Sequence, residues 1–336
     1  MKAKRGVVWT AVIAASIALL SLLSMMVGRF NVPLSETLAV LFPVFFPDAE
    51  VPNMVGNVII NIRLPRVLLA LLAGAGLGAA GGAFQALFSN PLATPDTLGV
   101  ASGASFGAVL GILLGLPSFG VQLSALVSGI AAVTLVWFVS RIRGSSSVIM
   151  IILAGMVVSA LFSALVSLVK YTADPQDVLP TITFWLMGSL SGATLSTLKL
   201  GAPFLIAGMF VIWLMRWKLN AMTLSEDEAA SLGINVKRVR MVVILGAAMI
   251  TSAVVSMCGL IGWVGLLIPH AARMIFGNDN RFVVPTSMGL GAIFMLVIDT
   301  AARSAVSSEI PASILTAVIG APFFIIRLRR TGGIRA

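Results

Sequence analysis

The chain has 336 residues, of which 59% are hydrophobic and 10% charged, and a formal net charge of +10 at pH 7. Soluble domains carry about 25% charged residues, and membrane barrels alternate apolar and polar residues over strands of about ten, so continuous apolar runs of about 20 exclude both. The basic residues stand between the apolar runs rather than in a patch with interleaved aromatics, which argues against a nucleic-acid partner and makes the charge topological.

In chain order, Met1 to Arg5 precede an apolar run from Gly6 to Val27. That run is longer than the hydrophobic region of a signal peptide, about 7 to 15 residues, and lacks a small-x-small cleavage site, so it is read as an uncleaved first span at 7–27. Asn31 to Arg66 is a Pro-containing connection with Glu36, Asp48 and Glu50. The next spans are predicted at 67–88, 98–116, 119–140 and 147–170. In the second, Gly74, Gly78 and Gly82 recur every four residues and form the small-residue stripe that helices in lipid use for close approach. Gly76 to Gly81 also spells a dinucleotide-binding pattern, but without a preceding strand or a following acidic residue it reads as packing.

Between the fifth and sixth spans, Phe184 to Met187 is too short to cross and is expected to form a re-entrant or interfacial helix. The remaining spans are predicted at 200–217, 240–258, 260–276, 283–302 and 311–327, which makes ten. Between the sixth and seventh lies Leu224 to Asn235, a short helix in outline. Ser225 is a natural N-cap, Glu226, Asp227 and Glu228 occupy the turn where the dipole favours acids, and Gly233 is placed to end it. Its Ala229, Ala230, Leu232 and Ile234 call for a surface to press against. Cys258, the single cysteine, has no partner for a disulfide and is read as packing.

With the N-terminus in the cytoplasm, the inner side holds three basic residues at the N-terminus, Arg141 and Arg143, five from Arg216 to Arg240, Arg273 and Arg281, and four after Ile326. The outer side holds only Arg29, Arg63, Arg66, Lys170, Lys199 and Arg303. Basic loops stay inside, so both termini are expected in the cytoplasm.

Two other classes are weighed against this reading. Gly103-Ala104-Ser105-Phe106-Gly107 matches a nucleophile elbow, and with the lone His270 would suggest an intramembrane serine protease; small-residue packing explains the same string. An ion-coupled secondary transporter needs ionisable groups near the bilayer midplane, whereas Asp299 and Arg303 lie near the outer end of the ninth span. No Gly-Lys dipeptide occurs, so the lysine loop that cradles ATP phosphates is missing and energy must come from another subunit. The chain is therefore not expected to be an enzyme, and it contains no pattern for a metal or cofactor.

Several strings together resemble the FecCD-type permeases of type II ABC importers, which serve iron-siderophore, haem and vitamin B12 uptake. They are Arg63-Leu64-Pro65-Arg66, Gln85 to Ala93, Leu98 to Ala104, Ala229 to Asn235, Gly262 to Arg273, and Glu309-Ile310-Pro311 through Gly320-Ala321-Pro322-Phe323-Phe324. The resemblance implies an all-α polytopic fold with one transmembrane permease domain over 1–336. It also implies a second, identical or closely similar permease subunit, two cytoplasmic ATPase subunits and an external binding protein, all assembled at the cytoplasmic (inner) membrane. By the same resemblance Arg63, Arg66 and Arg303 are binding-protein docking residues, and Asn90 and Leu92 form a cytoplasmic gate. Glu226, Asp227, Glu228, Ala229, Ala230, Leu232, Gly233, Ile234 and Asn235 form a coupling helix against the ATPase. The expected cargo is a ferric siderophore or a related chelate, with haem, cobalamin and molybdate-like oxyanions as further possibilities.

Overall fold

The structure, a computed structural model, describes residues 2–49, 51–140, 148–306 and 308–330. Arg141, Arg143 and Arg335, counted above for topology, lie outside the described residues. Among those described there are helices and no strands. The helices are α1 (Lys2–Met26), α2 (Leu34–Leu41), α3 (Asn53–Asn57), α4 (Leu64–Leu87), α5 (Val100–Leu113), α6 (Ser118–Ser140), α7 (Val148–Thr172) and α8 (Val178–Leu186). They continue as α9 (Leu195–Met215), α10 (Lys218–Ala221), α11 (Glu226–Ser231), α12 (Val236–Cys258), α13 (Val264–Phe276), α14 (Asn280–Ser304) and α15 (Ala312–Arg330).

The ten predicted spans correspond to α1, α4, α5, α6, α7, α9, α12, α13, α14 and α15. Of these, α5 and α13 have 14 and 13 residues, about 20 Å of helix, and fall short of a hydrocarbon core of about 30 Å. Both follow irregular backbone, a 3₁₀ turn at Pro95–Leu98 and the stretch 259–263. Such backbone is tolerated at membrane depth where protein covers it, and Leu98 and Ile261 are buried.

The sequence reading places 31–66 in a connection, but helix begins within it. From Asn53 a continuous helical path runs through a π turn at Val58–Arg63 into α4. Pro65 explains the π turn: it has no N–H to offer the Asn61 carbonyl, and its ring crowds that carbonyl, so the helix widens for one turn just before it. The predicted short helix at 184–187 is the C-terminal end of the longer α8.

The small-residue stripe of α4 does the packing expected of it, with one change of register. A Cβ added at Gly74 or Gly78 would overlap the carbonyl oxygens of Gly291 and Ser287 on α14. At the third position it is Gly81 whose missing Cβ admits the Gly265 carbonyl of α13, while Gly82 has nothing nearer than 3.7 Å. Helix α4 thus lies backbone to backbone against two neighbours, and 78% of its most apolar window is buried. Gly103 and Gly107 serve the same purpose between α5 and α6.

Contacts between loops fix the direction of every span. The end of α4, the starts of α7 and α12 and residues between α10 and α12 line one cavity, and the ends of α5 and α12, α8, the starts of α6 and α9, Glu309 and Pro311 line another. Gly6 lies over Phe282 near the first cavity, while Met25 and Met26 meet Arg63 at the opposite end. Successive spans therefore alternate in direction.

Candidate functional site

At the first end, two segments face each other across a cavity of about 280 Å³ lined by Leu87, Phe88, Ser89, Ser225, Glu226, Ala229 and Arg240 among others. The α4 side is a Schellman turn. Ser89 takes φ +47°, its N–H donates to Ala86 O at 3.3 Å, and Asn90 N–H donates to Gln85 O at 3.1 Å. The Asn90 side chain then accepts the Leu92 N–H at 2.9 Å, which holds Leu92 57% exposed at the tip of the turn. The predicted gate residues are thus presented on a rigid, hydrogen-bonded turn.

The α11 side is the helix read from the sequence. Ser225 Oγ accepts the Glu228 N–H at 3.3 Å and Glu228 Oε2 accepts the Ser225 N–H at 3.0 Å, a reciprocal capping box. The hydrogen bonds from Ser225 hold the Glu228 carboxyl below its ordinary range. Gly233 takes φ +76°, and Gly233 and Ile234 N–H groups donate to Ala230 and Ala229 carbonyls at 2.9 and 3.2 Å. Ala229 points inward and is buried, whereas Leu232 is 64% exposed. Asn235 receives the Arg238 N–H at 3.0 Å and so begins α12 immediately after α11 ends.

Sequence reasoning missed the pair that ties α11 to α12. Arg240 Nη2 donates to Glu226 Oε1 at 2.6 Å, with the arginine side chain 3% exposed and the glutamate 61%. A second clamp joins the preceding turn to the start of α14: Asn220 donates to Asp279 at 2.9 Å and accepts the Asn280 N–H at 2.7 Å. Arg281, doubly hydrogen-bonded to Asp279, holds that carboxyl down at about 2. These pairs are distant or offset in sequence, and no spacing rule would have joined them.

At the opposite end the structure brings Arg63, Arg66 and Arg303 together, but buries them to 4, 7 and 7% exposure. Arg63 donates to the carbonyls of Met25, Met26 and Phe30 and closes the end of α1. Arg66 Nε donates to both Asp299 oxygens at 2.8 and 3.0 Å, and its Nη1 donates to both Glu309 oxygens at 2.9 Å. Arg303 donates to Ser24 and approaches Asp299 at 3.8 Å. The docking expectation treated these arginines as outward-facing; each is engaged by groups of this chain. The sequence places Asp299 near the outer end of the ninth span and Glu309 inside a family-like string, and pairs neither with Arg66.

Beside the cluster is the larger cavity, about 890 Å³, walled by the ends of α5, α8 and α12, the starts of α6 and α9, and residues 309–311. Among the described residues, seven of those lining it bear hydroxyl or amide side chains, including Gln122, Ser189 and Ser256, and Glu309 is the one acidic or basic side chain. No group of three or more His, Cys, Asp or Glu that could hold a metal occurs among the described residues.

The serine and histidine of the protease reading lie in different seams. Ser105 is buried in α5, which packs on α6 and α7, and His270 of α13 sits with its ring 6.1 and 5.8 Å from those of Phe323 and Phe324 on α15.

The model of the FecCD transport family matches residues 16–330. The chain is 38% identical over 316 residues to the molybdate import system permease protein MolB of Haemophilus influenzae, covering 93% of each. It is 35% identical to an iron chelatin transport system permease protein of Helicobacter pylori, covering 96% of this chain and 98% of that one. Among solved structures, one described as an inward-facing conformation of a metal-chelate type ABC transporter superposes with a TM-score of 0.86 at 36% identity, covering 95% of this chain and 97% of the other. Ten alternating spans, an all-helical fold and matches over nearly the full length agree: the chain belongs to the FecCD transport family and is a membrane-spanning permease of an ABC importer.

Proposed function

We propose that the chain carries a metal chelate of ferric-siderophore type. The observation behind this choice is the 890 Å³ cavity, which lies in the range of ligand sites, about 300 to 1,000 Å³, and has no lysine or arginine lining it among the described residues. A small doubly charged oxyanion needs fixed positive charge or many converging donors once it leaves water. A bulky chelate with a largely shielded metal does not, and it fits walls of hydroxyls, amides and apolar carbon. Haem and cobalamin share those properties and remain within the same class.

The whole chain is read as a single transmembrane unit that pairs with a second, identical copy in the inner membrane. Apolar side chains left exposed on α7 and α15, including Met156, Val157 and Val318, supply surface for that partner and for lipid. Both termini, the α4 turn and α11 lie on the cytoplasmic side, where Asn90 and Leu92 act as the gate and residues 226–235 dock on the ATPase. A binding protein delivers cargo at the other side. There the cluster carries three guanidiniums against two carboxylates, and the excess positive charge of Arg63, Arg66 and Arg303 steers an acidic docking face.

The test is uptake into proteoliposomes holding the permease, its ATPase and its binding protein. Ferric siderophore is expected to accumulate only when ATP is supplied on the ATPase side, and the permease alone is expected to show no ATP turnover. Accumulation of molybdate without any chelate uptake would assign the cargo to the oxyanion class instead. ATP turnover by the permease alone, surviving removal of contaminating ATPases, would overturn the division of labour.

A further inference from the structure

Glu309 belongs to both the arginine cluster and the large cavity. It lines the cavity, and its two oxygens both accept from Arg66 Nη1 at 2.9 Å. Arg66 therefore holds two carboxylates of different standing: the Asp299 side chain is 1% exposed, the Glu309 side chain 30%. Asp299 is sealed into the bundle, whereas Glu309 has water to turn to when another carboxylate takes its place on the buried Arg66.

The segment that follows Glu309 is stitched to the end of α14 and to the two residues just after α8. Ile310 N–H donates to Ala302 O at 3.2 Å, Ala312 N–H donates to Gly188 O at 2.9 Å, and the Ser313 hydroxyl donates to Met187 O. The end of α8 is tied onward to α12, since Ser189 N–H donates to Cys258 O at 2.7 Å and Gly188 is packed too closely on the Leu260 carbonyl to admit a Cβ. Glu309, Pro311, α8 and the end of α12 form one continuous wall of the cavity, with Arg66 held behind Glu309.

We propose that Glu309 is an exchangeable latch: a carboxylate on an externally docked protein replaces it on Arg66, and the freed 309–313 segment lets α8 move and opens the cavity at that end. The inference rests on the docking reading above. A guanidinium accepts one planar carboxylate as readily as another, and the exchange leaves the charge balance of the cluster unchanged. It also gives the buried Arg66 a route to an outside partner, because the residue that must leave is the exposed one. Glu309 is in this sense a positioning residue: it acts on cargo entry through α8.

The chain carries its own reporter. Cys258 is its one cysteine, it is buried, and it stands in the cavity wall. In the assembled transporter, Glu309→Gln keeps the shape and removes the charge, and is expected to raise the rate of Cys258 modification by N-ethylmaleimide about tenfold or more, the signature of a locally opened wall. Ser313→Ala, which loosens the same segment without touching Arg66, is expected to raise it as well. Added binding protein is expected to speed modification in the unsubstituted chain and to add little in Glu309→Gln. An unchanged rate in Glu309→Gln overturns the latch, whether or not the binding protein docks. A raised rate in Glu309→Gln with no docking to the unsubstituted transporter overturns the docking reading, and with it the exchange, and leaves only the finding that the Arg66–Glu309 contact holds the wall shut.

Discussion

Leu232→Asp is expected to abolish cargo uptake in proteoliposomes while the permease still inserts and pairs. Leu232 is 64% exposed, makes no part of the bundle core, and follows a helix whose start and stop are both fixed by hydrogen bonds. An aspartate there costs the isolated permease little. Pressed into an apolar groove of an ATPase, it becomes a buried charge without a partner, which costs about 3 to 5 kcal/mol and weakens association by about 100-fold or more. Gly233→Val should act in the same direction more mildly. A Cβ there meets nothing within 4 Å, so the penalty is the left-handed backbone alone, about 1 to 2 kcal/mol. Co-purification of the ATPase and uptake are to be measured on the same preparations. Full uptake by a well-assembled Leu232→Asp transporter would remove α11 from the coupling path.

The second large effect concerns two adjacent glycines of α4. Gly81→Ala is expected to prevent stable assembly, and Gly82→Ala to leave it nearly unchanged. At Gly81 the new methyl group would overlap the Gly265 carbonyl, a backbone atom at the start of α13 that no rotamer change can move away. The backbones of α4 and α13 must move apart, so the loss reaches the upper end of the usual overpacking cost, about 1 to 3 kcal/mol. At Gly82 the nearest atoms are 3.7 Å away, an ordinary contact. Size-exclusion profiles in detergent and thermal aggregation temperatures separate the two cases. A monodisperse, thermally unchanged Gly81→Ala permease would show that α4 and α13 are not in backbone contact.

The ten spans, their alternating direction and the α11 cap were legible from residue order alone, because each rests on local physics. A membrane demands long apolar runs, short connections make successive runs reverse direction, and a serine followed three residues later by glutamate satisfies orphan N–H groups at a helix start. Gly74 and Gly78 were legible as a packing stripe for the same reason, since a spacing of four keeps residues on one helix face. The stripe's third member was not: Gly81 and Gly82 are neighbours on the helix surface, and only the position of α13 selects between them. Helix onset at Asn53 was hidden because Pro65 reads as a break, while the fold passes it with a π turn.

What the tertiary structure alone decided is where the charges go. From sequence, Arg63, Arg66 and Arg303 are basic residues beside a membrane and Glu309 is an acid before a proline, 243 positions from Arg66. Folding α4 against α14 places Arg66 between Asp299 and Glu309, and seating the end of α1 beside them gives Arg63 and Arg303 backbone carbonyls to hold. A buried guanidinium must find acceptors wherever the chain can supply them, and that search runs over space rather than along the sequence. The same reason kept Arg240 and Glu226 apart on paper and within 2.6 Å in the fold.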